Sequence, residues 1–337
     1  MIRGATDAFG VCAPGGGRYQ NDIFLIFRGT TAANNNADWI SNARIGLEFS
    51  HTGSPVHLGF NQIFSSMLPA IREFLAKHGS ATGTVHCIGH SLGGAIANLA
   101  ADWIKKTRGG AVRLYTFGAP RVGTSWFARS MGGRVQEKYI YRVYHKTDPV
   151  PMVPVFPFTH APISNQGYQI YSAQSIVSAE AHGMAQYRQS VSGSKWKDLH
   201  GAIAPYHIDH MVEQWLGSDR RPNPADPTTW EWLNSAIVWV LKKLTMGTIL
   251  IVQSSVMGLV TLADKIAWIL QKGIDLSKDS GFWVLRLMRK IMQVLGMPVV
   301  KTVNELGRTF MRRILTRLMQ KMNQEAQSAV RSQFSQR

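Results

Sequence analysis

The sequence predicts an α/β fold with a mostly parallel central sheet, followed by a C-terminal region built only of helices. Three observations carry this. Short apolar or β-branched runs alternate with longer segments of helical period through roughly the first two thirds of the chain, the pattern of strands joined by crossover helices. The run from Thr84 to Ile88 passes through Gly89-His90-Ser91-Leu92-Gly93-Gly94 into an alanine-rich segment over 95–104, a strand–turn–helix junction. Beyond the proline-rich stretch from Gly217 to Pro227 only helical periodicity remains. The chain accordingly divides into residues 1–217, a linker over 218–229 and a basic helical region over 230–337.

Taken in order, Asp22-Ile23-Phe24-Leu25-Ile26-Phe27 is a continuous apolar run, as expected of a strand buried on both faces. Arg28-Gly29-Thr30 and a polar stretch follow, ending in Asp38-Trp39. A loop just after a central strand with one Trp reads either as a mobile cover or as a surface loop with the ring tucked down. Val56-His57-Leu58-Gly59-Phe60 opens a helix whose Ile63, Phe64, Met67, Leu68, Ile71, Phe74 and Leu75 share one face, with a kink expected at Pro69 and a structural role for His57. At the junction, a serine forced into so tight a turn needs neighbours without bulky Cβ groups, and Gly89 and Gly93 flank Ser91 two residues away on either side. The following helix points its first N–H groups at any oxyanion formed beside Ser91. Val112 to Phe117 and Tyr139 to His145 are further strands, the second ended by the prolines of Lys146-Thr147-Asp148-Pro149-Val150-Pro151. An acid just past the carboxyl end of a parallel strand stands on the edge where sites gather, so Asp148 is the candidate acid. The irregular stretch from Pro154 to Ala204 suggests no specific chemistry. A helix opening at Tyr206-His207-Ile208-Asp209-His210 offers two candidate bases, His207 and His210.

The 337 residues hold only two cysteines, Cys12 and Cys87, which argues against a disulfide scaffold and for folding in a reducing compartment. The opening residues lack the apolar run of a signal peptide, so the expectation is a cytoplasmic location, or export by a signal-independent route, with action at membranes. A net charge of +17 points to an anionic surface as partner, membrane or nucleic acid. Residues 230–337 carry 16 Lys and Arg against 6 Asp and Glu, more than half the excess. Residues 244–263 are uncharged and long enough to cross a bilayer but are interrupted by Gln253-Ser254-Ser255; they read as a span or as a buried helical hairpin. Val303, Leu306, Phe310, Ile314, Leu315, Leu318 and Met322 form one stripe with Arg308, Arg312, Arg313, Arg317 and Lys321 around it. That pattern suits either a helix lying on a membrane surface or one packed on its neighbours with a solvated basic face. Aromatics are sparse along the basic stretch, so nucleic acid is not expected, and no cluster has metal-ligand spacing.

The order Ser, Asp, His is that of α/β-hydrolases. Arg28-Gly29-Thr30 after an apolar strand, Val56 to Phe60, Gly89 to Gly94, Thr116 to Gly123 and Asp148-Pro149-Val150-Pro151 together resemble the class 3 (fungal-type) lipase family over roughly residues 9–217. The resemblance implies a serine hydrolase of carboxylic esters of lipids, lipase or phospholipase, needing no cofactor. It makes Ser91 the nucleophile and Asp148 the acid, forms the oxyanion hole from the N–H groups of Thr30 and Leu92, and places a lid at Asp38-Trp39. The family often shows Asp-His with an aromatic about five residues on. Asp209-His210 with Trp215-Leu216 fits that register, which selects His210 over His207. Bacterial antagonistic effectors combine such domains with helical extensions, an arrangement this chain is similar to. The alternative is a membrane-interacting or scaffold protein that keeps the fold without the catalysis.

Overall fold

The computed structural model describes residues 2–3, 8–29, 46–78, 83–163, 167–199, 209–244 and 261–332. β1 (Ile2–Arg3), β2 (Ala8–Pro14), β3 (Ile23–Phe27), β6 (Thr84–His90), β7 (Ala111–Phe117), β8 (Ile140–His145) and β9 (Tyr168–Ile170) form a sheet in the order β1-β2-β3-β6-β7-β8-β9. From β3 to β9 every pairing is parallel, while β1 and β2 run antiparallel at one edge. β4 (Leu47–Phe49) and β5 (Pro55–His57) pair as a separate hairpin. Leu25, Cys87, Leu114 and Ile140 sit side by side across four neighbouring strands, all buried. This is the mostly parallel sheet expected of an α/β-hydrolase.

β3 departs from expectation. Ile23, Leu25 and Phe27 are buried, but Phe24 is half-buried and Ile26 is 44% exposed. The face carrying Phe24 is covered by stacked rings rather than by aliphatic packing. Phe24 lies on His86 at 4.7 Å, Tyr115 on Tyr141 at 4.9 Å, and Trp196 leans on Tyr141 at 4.6 Å.

Nine helices are described: α1 (Leu58–His78), α2 (Leu92–Arg108), α3 (Ser125–Met131), α4 (Met184–Val191), α5 (Asp209–Gly217), α6 (Pro227–Lys243), α7 (Leu262–Leu276), α8 (Lys278–Val294) and α9 (Arg308–Ser332). α1 runs on through Pro69 and buries Phe60, Phe64, Met67, Leu68 and Ile71. α2 is buried from Leu92 to Ile104, and its small residues Gly93, Gly94, Ala95 and Ala97 let it lie close to the sheet. Local caps start the later helices: Asp226, Thr261 and Ser277 side chains accept from Thr228, Asp264 and Ser280 N–H.

The helical region docks on the sheet region. Met311, Ile314, Leu315, Leu318 and Met322 of α9 are buried in the same continuous apolar cluster as Leu25 and Cys87. α9 packs on α7 and α8, and also on the turns Val150–Met152 and Glu180–His182. Its stripe therefore faces protein, with Arg308, Arg312, Arg313 and Arg317 exposed. The proline-rich stretch is also tied down. The buried Lys290 Nζ donates to Arg220 O at 2.7 Å and Ser218 Oγ at 3.2 Å, and Trp230 Nε1 donates to Pro224 O at 2.9 Å. Of residues 244–263, only Leu244 and 261–263 lie within the described residues. Among the described residues no helix is long and apolar enough to cross a membrane.

Candidate active site

β6 ends at His90 and α2 begins at Leu92, so Ser91 alone makes the turn between them, at φ 57° and ψ −131°. Positive φ costs a serine on the order of 1–3 kcal/mol and is sustained only where the surroundings enforce it. Here they do: Ser91 N–H donates to Phe117 O at 3.0 Å, and a Cβ on Gly89 would strike the Gly93 backbone. A Cβ on Gly94 would lie 2.6 Å from that of Ala119, so this glycine sets how closely α2 meets the loop after β7. Leu92 is the first residue of α2, so its N–H has no partner within the helix and stands beside Ser91.

Asp148 follows the end of β8. Its N–H donates to His145 O at 3.2 Å, and its Oδ1 accepts from Val150 N–H at 2.9 Å, which closes the turn into Pro149 and Pro151. The side chain is completely buried. Its Oδ2 accepts from Tyr187 Oη at 2.7 Å and lies 2.8 Å from His182 Nδ1. The other ring nitrogen, His182 Nε2, is 2.8 Å from Ser91 Oγ. Ser91, His182 and Asp148 thus form one hydrogen-bonded chain, all three nearly or fully buried. With Nδ1–H donated to the carboxylate, Nε2 is left as an acceptor aimed at the hydroxyl, the arrangement that lets a serine lose its proton as it attacks. Gly118 makes room for this chain. It sits at φ +55°, and a Cβ there would meet Asp148 Oδ2 at 2.7 Å and His182 Nδ1 at 3.1 Å.

Burial keeps two neighbouring groups, Tyr187 and His90, neutral. Burial, then the Asp148 charge, pushes the Tyr187 hydroxyl well above its usual range. Burial, and then the neighbouring His182 ring, pushes His90 down to about 3. A cavity of about 110 Å³ lies behind Asp148, lined among others by Arg121, Arg142, Lys146, His160 and Glu231, but neither Ser91 nor His182 lines it. Among the described residues no group of three or more His, Cys, Asp or Glu side chains could hold a metal ion.

The structure brings Ser91 and Asp148 together and corrects the histidine. His210 is exposed in the first turn of α5, and the ring that joins Ser91 to Asp148 is that of His182. His207, Thr30, Asp38 and Trp39 lie outside the described residues. His57 is fully buried in β5, and burial pushes it down to about 3. His182 was missed because it stands in a three-residue 3₁₀ turn, Glu180–His182, with no periodicity to mark it. A usable signal existed: Tyr187 follows His182 at the same five-residue interval by which Trp215 follows His210.

The chain is similar to known proteins over part of its length. The chain is 34% identical over 147 residues to secreted mono- and diacylglycerol lipase 1 of Fusarium solani, covering 42% of each protein. It is 30% identical over 157 residues to the chloroplastic phospholipase A(1) DAD1 of Arabidopsis thaliana, covering 40% of this chain and 34% of that protein. It is 41% identical over 103 residues to toxin TseL of Vibrio cholerae, covering 30% of this chain and 15% of that protein. The chain therefore spans less than half the length of these relatives. Residues 24–158, which hold Ser91 and Asp148, match the model of the class 3 lipase family.

Proposed function

We propose that the chain is a serine hydrolase that cleaves carboxylic esters of glycerolipids through an acyl-enzyme. One observation carries the reading: a single buried imidazole lies 2.8 Å from Ser91 Oγ on one side and 2.8 Å from Asp148 Oδ2 on the other. In this mechanism His182 takes the Ser91 proton as Oγ attacks the ester carbonyl, then returns it to the leaving alcohol. Asp148 holds the tautomer and stabilises the imidazolium that forms; water, activated by the same ring, releases the acid. The Leu92 N–H at the start of α2 is an oxyanion donor, contributing roughly 3 kcal/mol in the transition state. The lipid character of the substrate rests on the family match and on relatives named as acylglycerol lipases and a phospholipase A(1).

The substrate lies in a membrane, and the chain reaches it by charge. Because the stripe of α9 is buried, the attraction comes from its exposed Arg308, Arg313 and Arg317 and not from apolar insertion, while Arg312 is ion-paired to Asp264 of α7 at 2.8 Å. Each basic residue close to an anionic surface contributes about 1 kcal/mol, an effect that salt screens.

The test is a fluorophosphonate probe with a glycerolipid panel. The unaltered chain should be labelled and should release fatty acid, and Ser91→Ala should do neither. Equal labelling of both proteins, or labelling with hydrolysis of soluble esters alone, would remove respectively the catalytic and the lipid half of the reading.

A further inference from the structure

The turn that carries His182 is too short to hold itself. Glu180–His182 is one 3₁₀ turn, closed by His182 N–H on Ala179 O at 3.2 Å and Gly183 N–H on Glu180 O at 3.0 Å. Such i→i+3 bonds have poor geometry, and a lone turn is a weak support for a ring that must meet two partners at once. Two other histidines reach its backbone. His145 Nδ1 lies 2.6 Å from Ala181 O, and His90 Nε2 lies 2.8 Å from His182 O. A carbonyl oxygen only accepts, so each contact fixes a tautomer: Nδ1–H on His145 and Nε2–H on His90. The remaining Nε2 of His145 then accepts from Ser190 Oγ of α4 at 2.9 Å.

The origin of the two rings gives the contacts their meaning. His90 is the last residue of β6, directly before Ser91, and His145 is the last residue of β8, just before the Asp148 turn. Each strand end that presents a partner of His182 therefore also grips the backbone of the turn that carries His182. The rings are themselves braced, His90 stacked on the His182 ring at 4.7 Å and His145 on the Tyr187 ring at 4.1 Å. The His145 N–H also donates to Tyr187 Oη at 3.0 Å, which turns that hydroxyl's proton toward Asp148.

We propose that His90 and His145 are positioning residues, each donating one ring N–H to consecutive carbonyls of the turn and so holding the His182 imidazole in register between Ser91 and Asp148. The inference rests on the hydrolase reading above and deepens it. Burial keeps both rings neutral, His90 down to about 3 and His145 below its usual value. Neutral rings hold the backbone without repelling the imidazolium that forms on His182 during reaction.

The test uses the full chain and exploits the difference between the two donors. The side-chain nitrogen of Asn stands close to where Nδ1 of His stands, and that of Gln close to Nε2. His145→Asn and His90→Gln should therefore keep kcat on a short soluble ester within about threefold of the unaltered chain. His145→Gln and His90→Asn should lose about tenfold to a hundredfold in kcat with little change in KM, the scale of a misplacement of about 1 Å. A role in stability alone would lower the thermal midpoint without this crossed pattern. Equal activity of the Asn and Gln variants at both positions, or kcat falling only in step with stability, would overturn the proposal.

A second arm needs no turnover. Nitrogen NMR of the imidazoles should show His145 protonated at Nδ1 and His90 at Nε2, and the opposite tautomer on either ring overturns the assignment. If the unaltered chain neither reacts with a fluorophosphonate nor cleaves esters, the hydrolase reading fails, and the tautomers still decide whether the two contacts exist.

Discussion

Ser91, His182 and Asp148 come from three separate turns, and side chains that do no chemistry set their mutual order. His182→Ala should lower kcat/KM by about 10⁶-fold, the scale of losing the base of a serine triad, while the exposed His210→Ala should leave it unchanged. Steady-state kinetics on a soluble ester check both. Tyr187→Phe takes one donor from a fully buried carboxylate, and a hydrogen bond to a charged group is worth about 1.5–3 kcal/mol. We expect a lower thermal midpoint and roughly a tenfold loss in kcat/KM. Burial also predicts a pH dependence. His57 and His90, near 6.5 when unfolded, are each held down to about 3 in the folded chain. Above pH 6.5 both states are neutral and stability is unaffected. As pH falls below that, only the unfolded chain gains the protons, so stability drops by up to about 1.4 kcal/mol per pH unit per histidine until the folded rings titrate near 3. Chemical denaturation at a series of pH values measures that slope; a flat profile from pH 7 to 4 would contradict it. At this scale the sequence is legible where local geometry restricts residue choice. Gly89, Ser91 and Gly93 declare themselves because no Cβ fits beside the turn. His182 does not, since its position depends on contacts with His90 and His145 from distant strands.

At the scale of elements, periodicity revealed β6 to β8, α1, α2 and the stripe of α9. It could not say what the stripe would face. An apolar row at helical spacing fits a bilayer or a protein core equally well, and the choice is made by α7, α8 and the turns near Asp148 and His182. Continuous apolarity in β3 likewise suggested burial on both faces, whereas Ile26 is exposed to nearly half its surface on a face of stacked rings. Leu318→Ala in α9 should cost about 2–5 kcal/mol, because the side chain is 1% exposed within the shared core. A urea midpoint shift measures this. A loss under about 1 kcal/mol, the range of a surface substitution, would mean α9 is only loosely docked. Gly118→Ala tests the opposite kind of change. A methyl group at φ +55° that meets Asp148 and His182 should reduce kcat well before it unfolds the protein.

Across the whole molecule, a composition break in sequence did not become a break in space. Gly217 to Pro227 reads as a tether, yet Lys290 and Trp230 fasten it. Arg121 is bound to Met152 O at 2.7 Å and reaches Asn234 Oδ1 of α6 at 3.5 Å, so the loop after β7 touches both regions. A chain ending at Gly217 should accordingly be insoluble or unfolded when expressed, as size-exclusion chromatography would show; a soluble, active truncation would make the helices dispensable. The charge of +17 gives a further expectation: the full chain should bind anionic vesicles and release them as salt rises, and Arg308→Glu with Arg313→Glu should weaken that binding without lowering turnover of a soluble ester.

The docking of α9 also has a consequence in time. Synthesis runs from the N-terminus, so upstream segments emerge before downstream ones are made. Ser91, Asp148 and His182 all leave the ribosome ahead of residues 308–332, the helix against which two of their three turns rest. The nascent chain thus carries its nucleophile long before the base and acid have their backing, and reactivity is acquired late, when the last helix is delivered.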